Sequence, residues 1–174
     1  EKNEQRKSEL RALQNQINPH FLYNTIDSIV WMVENNQNED AVKMIVSLSR
    51  LFKISISGGH NLISVKNEIE HANHYLFIQS FRYKDKFRYE VIIEDEEVLK
   101  ETTLKLILQP LIENAIYHGI DKSEDNGKII LKAGYKDNFI KLSIEDNGYG
   151  LSEEKIKALY ANMENNDLSD GVGI

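Results

Sequence analysis

The chain has 174 residues, of which 28% are charged and 41% are hydrophobic, and its formal net charge is −7. This length allows one large domain or two small ones, and the negative charge provides no general attraction to nucleic acid or to an anionic membrane. Because cysteine is absent, disulfides and thiolate metal sites are excluded. The sequence contains no apolar run of the roughly 20 residues that a membrane-spanning helix needs.

The first part of the sequence predicts a helical hairpin. Apolar residues recur at spacings of three and four from Leu10 to Val33 and again from Ala41 to Phe52, and a polar cluster at 35–38 separates the two runs. Two long amphipathic helices joined by a short turn form an antiparallel hairpin. Since a lone hairpin cannot bury both apolar faces, we expect a homodimer in which two hairpins form a four-helix bundle.

Pro19 and His20 fall inside the first helical pattern. A proline within a helix removes an N–H group and crowds a carbonyl, which costs roughly 3 kcal/mol and usually kinks the helix. The pattern therefore predicts a kink at Pro19. This kink either presents His20 as a neutral nucleophile or simply leaves an exposed histidine, and the stretch 18–24 alone favours the exposed histidine.

A third helix is predicted from an N-cap at Ser64 to about Phe81. His71 and His74 on this helix have a spacing that could hold a metal ion, but no carboxylate or thiolate completes a ligand set. We therefore expect both histidines on a solvated face, and we expect His60 at the surface of a glycine-rich turn.

The period of the apolar residues changes from helical to alternating at Phe87, which predicts a half-buried strand. Two further strands are predicted at about 128–135 and 139–145, followed by a helix that begins near Ser152. This order of elements predicts an α/β layer with helices on one side of a mixed or antiparallel sheet.

The predicted fold class is therefore α+β, with an antiparallel helical hairpin that forms a dimeric four-helix bundle and an α/β sandwich after it. We place the two domains at residues 1–62 and 63–174. A boundary near residue 84 is the alternative if the third helix belongs with the hairpin.

A fourth helix is predicted from a cap at Thr102 or Thr103 to His118, with Gly119 as the residue that ends it. Its expected core face consists of Leu104, Leu108, Leu111, Ile112 and Ala115. Asn114 lies at one edge of this face, where its carbonyl oxygen could hold Mg²⁺. Taken alone, Asn114 would be an ordinary polar residue at the boundary of the core.

Two glycine-containing motifs follow this helix. Asp146, Gly148 and Gly150 come at the end of a strand, where the carboxylate could accept from an adenine amine and the glycines allow close approach of a flat ring. Gly171 and Gly173 could present backbone N–H groups to phosphates, and the polar segment before them suits a flexible lid. Each motif alone is weak evidence, because tight turns use the same residues.

The motifs together resemble the sensor histidine kinases of the LytS/YesM type, in which a phosphoacceptor hairpin precedes a GHKL-type (Bergerat) ATP-binding domain. The resemblance covers the stretches 16–24, 108–115, 118–120, 146–150 and 171–173. It implies a two-component kinase that autophosphorylates a histidine with ATP and Mg²⁺, acts as a homodimer, and passes the phosphoryl group to an aspartate of a response regulator.

The resemblance also assigns roles to individual residues. His20 would be the phosphoacceptor, Asn114 the Mg²⁺ ligand and Asp146 the adenine anchor. The remaining nucleotide-binding positions would be Tyr117, His118, Gly148, Gly150, Gly171 and Gly173. Asn24 lies one helical turn after His20, where related kinases keep a polar residue that helps to dephosphorylate the regulator.

Three positions depart from the pattern of related proteins. Phe21 stands where many histidine kinases have an acidic residue, so the general base is left open, and Glu113 is a second-tier candidate. Pro110 replaces the glutamate with which related ATPases activate water, which favours transfer to histidine over hydrolysis. Tyr117 replaces a lysine that often meets phosphate.

The same resemblance implies the cytoplasmic domain of a plasma-membrane protein that binds no nucleic acid directly and meets the membrane only through a sensor region outside this sequence. The sequence begins at Glu1 and ends at Ile174, and we expect it to be a fragment. The alternative function is a catalytically degenerate dimer that binds nucleotide and signals by conformation. A GHKL-type ATPase or serine kinase is a third hypothesis.

Overall fold

The computed structural model describes residues 18–56, 61–84, 86–120 and 126–164, with side chains described as far as residue 161 in the last range. The helices in these ranges are α1 (Pro19–Glu34), α2 (Asn38–Ile56), α3 (Val65–Arg82), α4 (Leu108–Asn114) and α5 (Glu153–Glu164). The strands are β1 (Leu62–Ser64), β2 (Phe87–Ile93), β3 (Thr102–Leu104), β4 (Gly127–Lys136) and β5 (Phe139–Asp146). A 3₁₀ turn covers Glu96–Lys100, and a π-helical turn, Ala115–Ile120, continues α4.

Helix α1 begins at Pro19, so the predicted kink inside a helix is wrong. Asn18 precedes it in an extended conformation (φ −63°, ψ 110°), and its side-chain oxygen accepts a hydrogen bond from the backbone N–H of His20 at 3.0 Å. Proline is favoured at the first position of a helix, because the N–H group that it lacks would have no partner there. Pro19 therefore starts the helix at no steric cost.

The predicted hairpin of α1 and α2 is confirmed. Helix α1 ends at Glu34, and Asn36 takes up a left-handed conformation (φ 59°) in the short turn to α2. The inner faces bury Phe21, Met32, Ala41, Met44 and Leu51. The outer faces leave an exposed apolar strip, which consists of Ile26, Val30, Val33, Val42, Ile45 and Val46.

Helix α3 packs against α2 and α4, and its predicted cap is confirmed because the Ser64 hydroxyl accepts from the Asn67 N–H at 3.1 Å. The expectation of solvated histidines is wrong for His71, which is 1% exposed. Its Nε2 lies 3.0 Å from Ser55 Oγ on α2, and burial lowers the pKa of His71 to about 4. His71 is therefore neutral at cellular pH.

The main sheet is mixed, as predicted. Strand β4 lies in the middle, parallel to β2 and antiparallel to β5, and Asp137 and Asn138 form the left-handed turn between β4 and β5 (φ 51° and 65°). Helix α3 packs against β2, while α4 and its π-helical turn contact β4 and β5. The face of β4 with Ile129 and Leu131 is buried beneath these helices.

The predicted start of the fourth helix is wrong. Thr102–Leu104 is strand β3, which pairs antiparallel with β1, and α4 begins only at Leu108. Leu104 is consequently 56% exposed instead of lying in the core. Gly119 does not end the helix either, because it lies inside the π-helical turn that runs to Ile120. By contrast, Ile112 is buried as expected.

A buried carboxylate explains where α4 starts. Glu68 of α3 is fully buried, and its two oxygens accept from the backbone N–H groups of Leu106 (2.8 Å) and Leu108 (3.0 Å). These N–H groups have no partner within the helix itself, so Glu68 caps α4 from a different element. The buried residues form one continuous cluster from the hairpin to β4. The boundary at residue 62 stays a prediction.

Candidate functional site

His20 lies in the first turn of α1 and is exposed to solvent. The Asn18 cap fixes its backbone, and the neighbouring Phe21 turns inward, so the imidazole is presented outward from a firmly anchored helix end. An exposed ring on a fixed backbone is a suitable arrangement for a side chain that must meet a reactant in a defined direction.

The Asn24 side chain contacts the His20 ring. Its Nδ2 lies 2.9 Å from His20 Nδ1 and 3.4 Å from Nε2. The two distances place Nδ2 over the face of the ring instead of along the lone pair of either nitrogen. Asn24 therefore keeps its carboxamide beside the imidazole.

Asn114 is the last residue of α4 and is half-buried, whereas Tyr117 and His118 in the following π-helical turn are exposed. A π-helical turn widens the helix and changes the direction of the side chains after it, and such turns occur frequently at functional sites. The three predicted site residues therefore lie close together along one helix end.

The loop after β5 carries the Asp146 motif. The Asp146 side chain is exposed, and its Oδ1 accepts from the Gly148 N–H at 2.8 Å. Asn147 holds the loop to the start of β4, since its Oδ1 accepts from the Lys128 N–H at 2.6 Å and its amide donates to the Asn126 carbonyl at 3.1 Å. The carboxylate thus projects from a loop with a defined conformation.

Gly119 and Gly148 bring this loop against the π-helical turn. A Cβ atom at position 119 would lie 2.5 Å from Asp146 Oδ1, and one at position 148 would lie 2.2 Å from the Gly119 Cα. Only glycine permits this contact. The two glycines therefore join the helix end that carries Asn114 to the loop that carries Asp146.

This arrangement suits a nucleotide. The Asp146 carboxylate can accept from an exocyclic amine, and the carboxamide oxygen of Asn114 is a hard ligand of the kind that Mg²⁺ takes beside phosphate oxygens. Gly150 has φ +69° and no atom within 4 Å of an added Cβ, so it contributes backbone freedom. Gly171 and Gly173 lie outside the described residues.

The Glu113 carboxylate is already engaged. Its Oε1 accepts from the Tyr75 hydroxyl at 3.0 Å and from Gln109 Nε2 at 3.0 Å, and Gln79 Nε2 in turn donates to the Tyr75 oxygen at 2.8 Å. These two hydrogen bonds fix the carboxylate in place and engage one of its oxygens. Glu113 is therefore better suited to fixing α4 than to acting as a general base.

The residues of α3 that hold the candidate site in place were not among the predicted functional residues. Tyr75 stacks on Phe21, with ring centroids 4.9 Å apart, and reaches Glu113 on its other side, while Glu68 caps α4. One signal was available in the sequence, because Glu68, Tyr75 and Gln79 recur at helical spacing among apolar residues. Polar groups on a buried helix face must find partners across the interface.

A groove of about 630 Å³ is a separate feature, lined by Trp31, Met32, Phe81, Phe87 and neighbouring residues. The Lys84 ammonium lies 4.5 Å from the Trp31 ring centroid at its edge. Neither the Asn114 helix end nor the Asp146 loop contributes to its lining. This groove is therefore distinct from the candidate nucleotide site.

The described residues contain no group of three or more histidine or acidic side chains that could hold a metal ion by themselves. Among the helices of the described ranges, none is long and apolar enough to cross a membrane.

Comparisons with known proteins match both parts of the chain. A histidine kinase family model matches residues 8–87, and the model of the histidine kinase-, DNA gyrase B- and HSP90-like ATPases matches residues 99–174. The second match contains Asn114, the Asp146 loop and both glycine motifs. The first contains His20 and extends through α3.

Three sensor proteins are similar over most of this chain. Sensor histidine kinase YesM of Bacillus subtilis is 37% identical over 147 residues, which are 84% of this chain and 25% of that protein. Sensor protein LytS of Bacillus cereus is 33% identical over 154 residues, or 87% of this chain and 26% of that protein. Sensor histidine kinase YpdA of Escherichia coli is 33% identical over 157 residues, or 90% of this chain and 27% of that protein.

The chain spans about a quarter of the length of these curated relatives. Both family models match in the order hairpin, then α/β layer, and the similarity to the relatives runs through both. The chain therefore belongs to the sensor histidine kinases of the LytS/YesM type, with a histidine kinase segment followed by a segment of the histidine kinase, gyrase B and HSP90-like ATPases.

Proposed function

We propose that the protein is an ATP-dependent protein-histidine kinase of a two-component system, which phosphorylates its own His20 and then transfers the phosphoryl group to an aspartate of a response regulator. The observation that carries this proposal is the exposed imidazole of His20, anchored by the Asn18 cap at the start of α1, in a chain whose second part matches the ATPase family.

The chemistry asks mainly for positioning. Phosphoryl transfer needs a nucleophile in line with the γ-phosphoryl group and positive charge to neutralise the phosphates, with little covalent work by the protein. His20 would supply the nucleophilic nitrogen, Asp146 would hold the adenine amine, and Asn114 would bind Mg²⁺, which neutralises phosphate charge when it is bound. Gly148, Gly150, Tyr117 and His118 would border the nucleotide, and Gly171 and Gly173 would meet its phosphates.

Asn24 is proposed to act in a separate reaction, the dephosphorylation of the regulator, by orienting the attacking water. Its support is the contact of the Asn24 amide nitrogen with the His20 ring at 2.9 Å from Nδ1, which keeps the carboxamide beside the proposed phosphoacceptor. Asn24→Ala should therefore slow regulator dephosphorylation by at least about 10-fold, and more than it slows autophosphorylation, in assays with the purified regulator. Equal losses in both reactions would contradict this role.

The direct test of the kinase uses the complete protein with γ-labelled ATP and Mg²⁺. We expect a label that is stable in alkali, lost in acid and absent from His20→Gln. A label that survives His20→Gln would refute the proposal. His118→Gln is the matched control for acceptance of the label, because this histidine is also exposed but lies beside the nucleotide; it should still become labelled, at a reduced rate.

The degenerate binding module remains the second candidate function. The observation that favours it is that Glu113 is engaged by Tyr75 and Gln109 while Phe21 replaces the usual acidic residue, which leaves the general base unassigned. This candidate predicts nucleotide binding without any phosphohistidine. An ATPase or serine kinase is disfavoured, because Pro110 occupies the position of the activating glutamate.

We further propose a homodimer formed through the exposed apolar strip of α1 and α2. We also propose that the protein is attached to the plasma membrane through a sensor region outside this sequence, with the present residues in the cytoplasm. The strip supports the dimer because large contiguous apolar surfaces usually mark interfaces. Cell fractionation of the complete protein tests the attachment, and its recovery in the soluble fraction would contradict it.

A further inference from the structure

Three side chains connect the helix of His20 to the helix of Asn114. The Phe21 ring stacks on the Tyr75 ring, with centroids 4.9 Å apart and an interplanar angle of 27°. On its other side, the Tyr75 hydroxyl donates to Glu113 Oε1 at 3.0 Å. This Phe21–Tyr75–Glu113 link therefore runs from α1, through α3, to α4.

Both ends of the link adjoin residues of the proposed reaction. Phe21 follows His20 directly, and Glu113 precedes Asn114 directly. Within a hydrogen-bonded helix, neighbouring residues move together because the backbone dihedral angles are fixed. A shift of the α1 backbone at Phe21 thus also shifts His20, and a shift of the α4 backbone at Glu113 also shifts Asn114.

The centre of the link is rigid. Tyr75 is 2% exposed, and its oxygen also accepts from Gln79 Nε2 at 2.8 Å. Burial and the charge of Glu113 raise the pKa of Tyr75 far above its usual value, so the hydroxyl keeps its proton and donates throughout the physiological range. A hydrogen bond to a carboxylate is stronger than one between neutral groups, and it fixes the direction of both partners.

We propose that Tyr75 is a positioning residue, which holds His20 and Asn114 in a defined relative position through the Phe21–Tyr75–Glu113 link without touching either reactant. This inference rests on the proposed function, because it concerns the alignment of the phosphoacceptor with the nucleotide. If Tyr75 were only a core residue, its ring would fill space and its hydroxyl would need a hydrogen-bond partner. The hydrogen bond to Glu113 would then have no effect on the rate of phosphoryl transfer to His20.

Tyr75→Phe tests the link because it keeps the ring and removes only the hydroxyl. In the complete protein, we expect kcat for autophosphorylation to fall at least about 10-fold, while the KM for ATP changes less than about twofold. Tyr89→Phe is the matched control, since Tyr89 is a half-buried tyrosine on β2, and it should leave both constants within about twofold. An unchanged kcat in Tyr75→Phe would overturn the inference.

Hydrogen exchange provides a readout that needs no catalysis. In Tyr75→Phe, amides in residues 19–24 and in 108–114 should both exchange at least about fivefold faster, while those of β4 stay unchanged. Faster exchange at only one end, or at neither, would overturn the inference. If the wild-type protein gives no phosphohistidine, the proposed function fails and the inference fails with it, whereas labelled His20 with normal Tyr75→Phe kinetics contradicts the inference alone.

Discussion

Gly119 and Gly148 show how single residues shape the candidate nucleotide site. Neither offers a functional group, yet their contact joins the Asn114 helix end to the Asp146 loop. Sequence patterns pointed to Gly148 as part of a motif, but they assigned Gly119 to the end of a helix. That assignment failed because the reason for a glycine at position 119 lies in a neighbour that is remote in sequence.

Gly119→Ala should weaken nucleotide binding. The added methyl would meet Asp146 Oδ1 at 2.5 Å, so the carboxylate must move away from its present position. We expect the affinity for an ATP analogue to fall at least about 10-fold in a fluorescence titration. Gly134→Ala is the control, because its methyl would meet the Glu94 side chain, with Oε2 at 2.6 Å and Cβ at 3.0 Å, and not Asp146. Equal affinities of the two variants would contradict the role of Gly119.

His71 makes the stability of the fold depend on pH. Its folded-state pKa of about 4 lies below the usual value of 6.5, so the unfolded chain takes up a proton first as the pH falls. The stabilisation is therefore complete above pH 6.5 and is lost progressively between pH 6.5 and pH 4. From pH 7 to pH 5 the loss at this one residue should be about 2 kcal/mol.

Urea unfolding at these two pH values tests this prediction, with His71→Gln as the variant that cannot titrate. The difference in the free energy of unfolding between pH 7 and pH 5 should be smaller in His71→Gln than in the wild type. An identical difference in the two proteins would show that His71 does not carry the effect. His118→Gln, which removes an exposed histidine, should behave as the wild type does.

Among the elements, those with a long apolar period were predictable. The helices α1 to α3 and the strands β2, β4 and β5 follow from spacings of three to four or of two residues, because burial of one face imposes that period. The stretch 102–108 was not predictable in this way. Strand β3 exists because it pairs with β1, 38 or more residues earlier in the register Ser64↔Thr102 to Leu62↔Leu104, and α4 starts where Glu68 caps it.

The candidate site was likewise predictable only in part. The order of the motifs in the sequence was sufficient to select His20, Asn114 and Asp146 as candidates. The supports at Glu68 and Tyr75 were not selected, since a polar residue on an apolar helix face has a meaning only when its partner on another element is known. Local periodicity carries no information on such partners.

The outer faces of α1 and α2 allow a test of the proposed dimer. Ile45→Asp would place a charge in the exposed apolar strip, and a charge buried in an interface without a partner is strongly unfavourable. We expect this variant to sediment as a monomer in analytical ultracentrifugation, where the wild type sediments as a dimer. Phe139→Asp, at an exposed apolar residue that begins β5, should remain dimeric. A monomeric wild type would contradict the proposed bundle.

At the scale of the whole molecule, one buried cluster extends from the hairpin through α3 to the sheet. The helix of His20 and the layer of Asn114 and Asp146 are thereby connected through α3, which contacts both. A kinase must bring its phosphoacceptor to its nucleotide and also separate them. A movement of one part relative to the other would therefore act on the contacts that α3 makes with both.

The central claim is that a phosphoryl group from ATP reaches the ring of His20. Its most direct measurement is mass spectrometry, at neutral pH, of peptides from the complete protein after incubation with ATP and Mg²⁺. We predict one added phosphoryl group on the peptide that contains His20, with fragment ions that place it on the imidazole. Phosphate on a serine, threonine or different histidine, or on no peptide at all while nucleotide still binds, would contradict the account.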